Sequence, residues 1–181
     1  MGLSLGAVVA IRLVSRHPEI ALIALVSGYQ IYTLPSFLFP IAKYVVYSIM
    51  GIESFFSDAI QKAMPEVDFN TPREPRNLKL IEGLCETLGG PDGTTWPAPW
   101  PARTLIIAAG KPAPYIGKVD SPEDARKLED IGKKGNDQTV AVVHKGMRHP
   151  WSRQDGPLFA RTITAWIERG VVIENEGFDK L

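Results

Sequence analysis

Gly2-Leu3-Ser4-Leu5-Gly6 opens this sequence, and an apolar helical pattern begins directly after it. Gly-x-Ser-x-Gly before a helix is the pattern of a nucleophile elbow, a strained turn that lifts a serine hydroxyl clear of the backbone. Side chains at Gly2 and Gly6 would collide with neighbouring backbone in so tight a turn. The N–H of Leu5 would face a developing oxyanion from the start of the helix. The pattern predicts Ser4 as a nucleophile, although no strand is expected before a motif that begins at residue 2.

Two apolar segments after the motif predict an α/β arrangement. Residues 5–17 form a helical pattern that is apolar on most faces, which is typical of a helix buried between a sheet and its neighbours. Residues 20–26 form a continuous apolar run of the kind found in buried parallel strands. Together they predict the second half of a βαβ unit whose first strand is missing.

The α/β pattern returns after residue 102. Strands are predicted over 103–109 and 138–145, with a charged helix between them over 121–134 that Ser121 caps. A final helix over 158–170 is predicted to turn four side chains inward: Phe159, Ile163, Trp166 and Ile167. The chain is therefore expected to form a mostly parallel sheet flanked by helices.

The middle of the chain, residues 29–102, reads as a helical lid insertion. Its predicted parts are an apolar aromatic stretch over 36–50, helices over 54–64 and 77–88, and an irregular connection over 89–101. Residues 31–50 approach the length of a membrane span, about 20 residues. Because Pro35, Pro40 and Lys43 interrupt this stretch, a lid that faces substrate or a membrane surface is favoured over a span.

Composition bounds the class of protein. The chain has 181 residues, of which 45% are hydrophobic, which suits one domain with its own core. Its 20 basic and 20 acidic side chains balance, so nucleic acid is not an expected partner.

The single Cys85 offers no disulfide and no metal-ligand spacing, so no metal or cofactor is expected and a reducing, cytoplasmic location fits. The ending Asp179-Lys180-Leu181 is a poor match to the peroxisomal Ser-Lys-Leu signal, which leaves that location as the weaker alternative.

His149 is the second candidate for chemistry. It lies in the loop between the last predicted strand and the last helix, at the carboxyl edge of the sheet, where open α/β folds place their sites. A loop histidine alone is more often a solvated or capping side chain, but the upstream elbow and lid favour a catalytic role. His144 is predicted to be structural, and His17 to cap a helix end.

These features resemble the C-terminal portion of an α/β-hydrolase-fold protein of fungal type, beginning at its nucleophile elbow. The resemblance rests on the elbow, the lid, the strand Thr104-Leu105-Ile106-Ile107 and the segment Gly146-Met147-Arg148-His149. It implies a serine hydrolase or esterase with Ser4 as nucleophile, His149 as general base and acid, and a carboxylate that orients the imidazole. It also implies that the family's first strands are absent from this chain, which leaves an apolar sheet edge exposed.

The resemblance does not by itself identify which carboxylate is the acid of the triad. Gly110 ends the strand that usually precedes it and is followed by Lys111-Pro112-Ala113, which carries no carboxylate. Asp120 is the nearest acid and is predicted to fill the role, with a carboxylate at a helix start as the alternative. The other usual position, Ser27-Gly28-Tyr29, offers no acid.

The predicted organisation is one partial α/β-hydrolase domain: elbow, helix and strand in 1–28, lid in 29–102, and the remaining strands, helices and histidine loop in 103–181. The predicted function is hydrolysis of an ester, thioester or related acyl bond of an apolar small molecule, in a chain that could be truncated and inactive as written. The alternative is a non-catalytic partial hydrolase fold that binds a partner or a membrane. A partner chain or a second copy would then cover the exposed edge.

Overall fold

The computed structural model describes residues 1–29, 96–112, 120–149, 151–173 and 175–181, together with isolated residues between 41 and 82. The chain divides into two compact units. One unit combines Met1–Gln30 with Pro97–Leu181, and the other is Ile31–Trp96.

A five-stranded sheet forms the centre of the first unit, and its strands lie side by side in the order of the sequence. The strands are β1 (Gly2–Leu3), β2 (Ile23–Ser27), β3 (Arg103–Ala109), β4 (Val140–His144) and β5 (Phe178–Lys180). The first four are parallel, and β5 pairs antiparallel with β4. The predicted fold class, a mostly parallel α/β sheet with flanking helices, is confirmed.

The described part of this unit contains four helices, and side chains cap the start of two of them. The helices are α1 (Leu5–Arg16), α2 (Pro122–Lys133), α3 (Trp151–Gln154) and α4 (Gly156–Arg169). The Ser121 hydroxyl accepts the Asp124 N–H at 3.0 Å at the start of α2, as predicted. Asp155 caps α4 in the same way, and Gly170 ends it in the left-handed conformation with φ 67°.

Successive side chains of a strand point to opposite faces of the sheet, so a buried strand has side chains to cover on both faces. Helices cover both faces here. On one face, Leu105, Ile107 and Val142 pack with Leu158 and Trp166 of α4 in a single hydrophobic cluster. The opposite face of β3 carries Thr104, whose hydroxyl accepts the indole N–H of Trp100 at 2.7 Å. Trp100 in turn lies against Gly132 of α2, where an added Cβ would come within 2.7 Å of the indole.

Three described elements of this unit were not predicted: β1, α3 and β5. Gly2 pairs with Val26 and Leu3 with Ser27, so a short strand precedes Ser4 after all. This strand consists of the first two residues of the motif and does not precede it, a position that the sequence did not predict. β5 has only 3 residues, too few for an alternating pattern to be visible in the sequence.

Two predictions of burial were also wrong. Helix α1 is not covered on most faces: Ala7 and Ile11 are fully buried, whereas Val9 and Leu13 are 51% and 46% exposed. Ile167 is 52% exposed, while Phe159 and Ile163 pack against the core as predicted. In both helices the sheet covers one stripe only, since it can contact one side of a helix.

The second unit is described at isolated positions. Helical residues occur within all three predicted segments, at 41, 43–45, 47 and 48, at 59, 62 and 63, and at 78, 79, 81 and 82. Lys43 forms an ion pair with Glu82. Apart from Asn77, the other residues of those segments lie outside the described residues, as do residues 89–95. Cys85 is one of these undescribed residues. Within the described residues, no helix has the length and apolar character needed to cross a membrane.

Candidate active site

Ser4 occupies the sharp turn between β1 and α1. Its φ and ψ angles are 54° and −123°, a conformation that a non-glycine residue adopts at a cost of about 1–3 kcal/mol. The Ser4 N–H donates to the carbonyl oxygen of Ser27 at 2.8 Å, which holds the turn against β2. Although Ser4 is the N-cap of α1, its hydroxyl makes no capping hydrogen bond among the described residues. The sequence therefore forms the strand, strained turn and helix that a nucleophile elbow requires.

The two glycines of the motif have different roles. A Cβ at Gly2 would lie 2.1 Å from the carbonyl oxygen of Gly6, so only glycine fits there. A Cβ at Gly6 would meet none of the described atoms within 4 Å. The steric explanation predicted for both glycines is therefore right for Gly2 and wrong for Gly6.

His149 and Asp120 form a hydrogen-bonded pair. Imidazole Nδ1 lies 2.5 Å from Asp120 Oδ1, and the other carboxylate oxygen accepts the Ala109 N–H at 2.8 Å. The Asp120 side chain is 1% exposed and that of His149 is 21% exposed. Donation from Nδ1 to the carboxylate corresponds to the imidazole tautomer in which Nε2 is the acceptor nitrogen. Ser121 is the N-cap of α2, so Asp120 lies one residue before the cap and its carboxylate is hydrogen-bonded to Ala109 and His149.

Gly28 brings β2 against the imidazole. Its φ is +68°, and an added Cβ would lie 2.5 Å from His149 Cε1 and 3.4 Å from Asp120 Oδ1. The residue before it, Ser27, accepts the Ser4 N–H. Ser4 and His149 are therefore both packed against the same two-residue segment at the end of β2.

The three predicted site residues lie at one edge of the sheet. Ser4 follows β1, the segment at Gly28 follows β2, Asp120 lies in the connection after β3, and His149 lies in the loop after β4. The carboxyl ends of parallel strands meet at the same edge, which is where open α/β sheets hold their ligands.

The loop that carries His149 is held by side chains that the sequence did not single out. The Trp151 indole N–H donates to the Ser27 hydroxyl at 2.7 Å. The Gln154 side chain accepts the Arg148 N–H at 3.0 Å and donates to the Gly146 carbonyl at 3.1 Å. The sequence shows a tryptophan two residues after the histidine, but its burial and its contact with Ser27 appear only in the structure.

The remaining titratable candidates do not join this site. His144 accepts the Gly146 N–H on Nδ1, lies 2.7 Å from the Glu176 carbonyl through Nε2, and packs edge-on against Phe178, which fits its predicted structural role. His17 is the C-cap of α1 through its backbone N–H, and its imidazole pairs with Glu19 at 3.3 Å. Burial raises the pKa of Tyr29, the residue after Gly28, to about 12, so its phenol stays neutral at ordinary pH.

No metal centre is found in the described parts of the chain, where no three His, Cys, Asp or Glu side chains come together. Gly132 and Gly135, at the end of α2, pack closely against Trp100: a Cβ at Gly135 would lie 2.3 Å from the Trp100 carbonyl oxygen.

A mostly parallel sheet, with Ser4 in a strained turn and an Asp120–His149 pair at its carboxyl edge, is consistent with an α/β-hydrolase fold. A sequence relative agrees with it: the chain is 28% identical over 178 residues to a protein of the fungus Gibberella zeae named "AB hydrolase superfamily protein". The match covers 92% of this chain and 55% of the relative, so the chain spans about half of the relative's length. The predicted resemblance to the α/β-hydrolase fold is confirmed. No protein-family model and no solved structure matches the chain.

Proposed function

We propose that the protein is a serine hydrolase that cleaves an ester, thioester or related acyl bond. The observation that carries the proposal is the buried Asp120–His149 hydrogen bond at the sheet edge where Ser4 is held in a strained turn. The similarity to a named hydrolase relative adds support. Strained backbone and a histidine oriented by a buried carboxylate are both expected at a nucleophilic site.

In this mechanism the Ser4 hydroxyl attacks the carbonyl carbon of the substrate and passes its proton to Nε2 of His149. Asp120 holds the imidazole in the required tautomer and stabilises the imidazolium. The N–H of Leu5 donates to the oxyanion, because the first N–H groups of a helix have no acceptor within the helix. His149 then protonates the leaving group, and water releases the acyl group by the reverse sequence of proton transfers.

The proposed substrate is an apolar small molecule. The support is compositional: the stretch 36–50 of the second unit contains Phe37, Phe39, Tyr44 and Tyr47. Aromatic and apolar side chains are typical of the walls of small-molecule sites. A role of this unit as a lid, and a cytoplasmic location, are part of the same proposal.

The test is labelling of the purified chain with a fluorophosphonate probe, which reacts with activated serines. We expect labelling of the wild type and none of Ser4→Ala or His149→Ala. Ser15→Ala and His17→Ala are matched controls, since both residues lie on or just after α1 outside the site, and they should label as the wild type does. Labelling that persists in Ser4→Ala would contradict the proposal.

Removing the charge of the acid should slow the reaction without unfolding the chain. Asp120→Asn replaces an acceptor by a donor at Nδ1 and favours the wrong imidazole tautomer, so the labelling rate should fall about 10²–10⁴-fold. The exposed Asp137→Asn is the control and should leave the rate unchanged. An unchanged rate in Asp120→Asn would assign the acid role elsewhere.

A non-catalytic binding protein is the second candidate function. Exposed apolar side chains favour it, with Leu22 at 85% and Val9 at 51% exposure. Absence of labelling in a chain shown to be folded by circular dichroism would support this function over hydrolysis.

A further inference from the structure

Ser27, the last residue of β2, makes two contacts that join the two halves of the site. Its carbonyl oxygen accepts the Ser4 N–H at 2.8 Å, and its hydroxyl accepts the Trp151 indole N–H at 2.7 Å. The residue is 1% exposed, so neither contact competes with water. One contact is to the proposed nucleophile, and the other is to the loop that carries the proposed base.

Trp151 is a rigid support for that loop. It is 1% exposed and lies two residues after His149. Its ring packs edge-on against Phe159, with centroids 4.8 Å apart, and against Phe178 at 6.0 Å. The indole can therefore shift only if the core side chains around it also shift. The hydrogen bond to Ser27 fixes the position of the indole relative to the end of β2.

We propose that Ser27 is a positioning residue that sets the spacing between the Ser4 hydroxyl and the His149 imidazole, an inference that rests on the proposed hydrolase function. Without the hydroxyl, the buried indole N–H of Trp151 has no acceptor and must move or recruit water. His149 follows it, because only one residue lies between them. A displacement of about 1 Å between reacting groups can lower a rate by roughly 10²-fold.

The chain contains a close internal control for this hydrogen bond. Thr104 on β3 is 0% exposed and its hydroxyl accepts the Trp100 indole N–H at 2.7 Å, the same chemistry at the same distance. Thr104 lies at the amino end of its strand, whereas Ser27 lies at the carboxyl end of β2, where the site is. Ser27→Ala removes the hydrogen bond from the Trp151 indole. Thr104→Val removes the one from the Trp100 indole and also the one that the Thr104 hydroxyl donates to the Ala102 carbonyl oxygen at 2.8 Å. The control is therefore at least as large a change, and it lies away from the site.

The first measurement compares fluorophosphonate labelling rates of these two variants. We expect Ser27→Ala to label roughly 10–100-fold more slowly than the wild type, and Thr104→Val to keep the wild-type rate. With a small chromogenic ester, the loss should appear in kcat and leave KM unchanged. Trp151→Phe should slow labelling as well, and the double variant should be no slower than the slower single variant, since both changes remove one contact.

The second measurement does not depend on activity. In spectra of chain labelled with ¹⁵N-histidine, the His149 ring signals, assigned with His149→Ala, should shift or broaden in Ser27→Ala and stay unchanged in Thr104→Val. If the wild type does not react with the probe, the hydrolase proposal fails and these signals alone decide: changed signals support positioning by Ser27, and unchanged signals overturn it. If the wild type reacts, an unchanged labelling rate in Ser27→Ala overturns the inference.

Discussion

At the scale of single residues, the site depends on two backbone conformations that most residues avoid. Ser4 has φ 54° and Gly28 has φ 68°. The first places a hydroxyl at the end of β1, and the second lets β2 approach the imidazole without a side chain between them. Strain of this kind persists only where the surrounding structure enforces it, here through the hydrogen bond from Ser4 to Ser27.

Gly28→Ala should disable the site. A methyl group would meet His149 Cε1 at 2.5 Å and would sit on a backbone with positive φ, so the imidazole must move away from Asp120. We expect a fall in labelling rate of about 10²-fold, the effect of a displacement near 1 Å. Gly156→Ala is the control, because its Cβ would meet none of the described atoms within 4 Å and should leave labelling intact. Equal labelling rates for Gly28→Ala and the wild type would contradict this prediction, because they would show that the imidazole can accommodate the added methyl group.

At the scale of elements, α4 is held to the sheet through its last turn. The Trp166 indole N–H donates to the Ala24 carbonyl of β2 at 2.9 Å. Arg103 of β3 donates to the last-turn carbonyls of Trp166 and Ile167 at 2.9 and 3.2 Å, and its guanidinium lies 5.3 Å from the Trp166 ring centroid. A cation at the negative end of a helix is favourable, and here it also supplies donors that the helix end lacks.

Arg103→Lys should destabilise the fold although it keeps the charge. Lysine cannot reproduce the planar donor group that spans two carbonyls and stacks on an indole. We expect the free energy of unfolding in urea to fall by about 1–2 kcal/mol, the value of a charge-assisted hydrogen bond with its stacking. The exposed Arg126→Lys on α2 should change it by less than about 0.5 kcal/mol. Equal stability of the two variants would mean that the helix end is satisfied by water.

At the scale of the whole molecule, the first unit has apolar side chains outside its core. Val9 and Leu13 are one helical turn apart on α1, which packs against β1, a two-residue strand at one end of the described sheet order. Exposed apolar residues near a sheet edge favour association with another chain. The predicted partner chain or second copy is therefore expected to bind near Val9 and Leu13 on α1.

We expect the purified chain to self-associate and Val9→Gln with Leu13→Gln to reduce the association. Sedimentation velocity at several concentrations measures this directly. Ile167→Gln with Val171→Gln is a matched control, since these residues are 52% and 45% exposed against 51% and 46% for the first pair. Ile167 lies in the last turn of α4 and Val171 lies two residues after the helix, and their replacement should not change the association. A monomer at all concentrations would contradict the prediction.

Local patterns in the sequence were sufficient for most of the first unit. The run over 103–109 became β3 with the predicted bounds, and the capped charged helix became α2 within one residue at each end. The motif around Ser4 and the loop position of His149 indicated the site, because elbow chemistry and the carboxyl edge of a parallel sheet are consequences of chain order. Continuous apolar runs and capping residues are local, so they can be recognised without knowing what they contact.

Only the tertiary structure decided which groups meet. The sequence left Asp120 between two roles, and it contained no sign of the contact with His149, 29 residues away. It contained no sign that Ser27 would accept a hydrogen bond from Trp151, 124 residues later, or that Ile167 would face solvent. These outcomes depend on strand order, register and which stripe of a helix the sheet covers. The amino-acid sequence by itself determined the elements and the chemistry available to them, and packing decided the pairings, because contacts between distant residues exist only once the sheet has assembled.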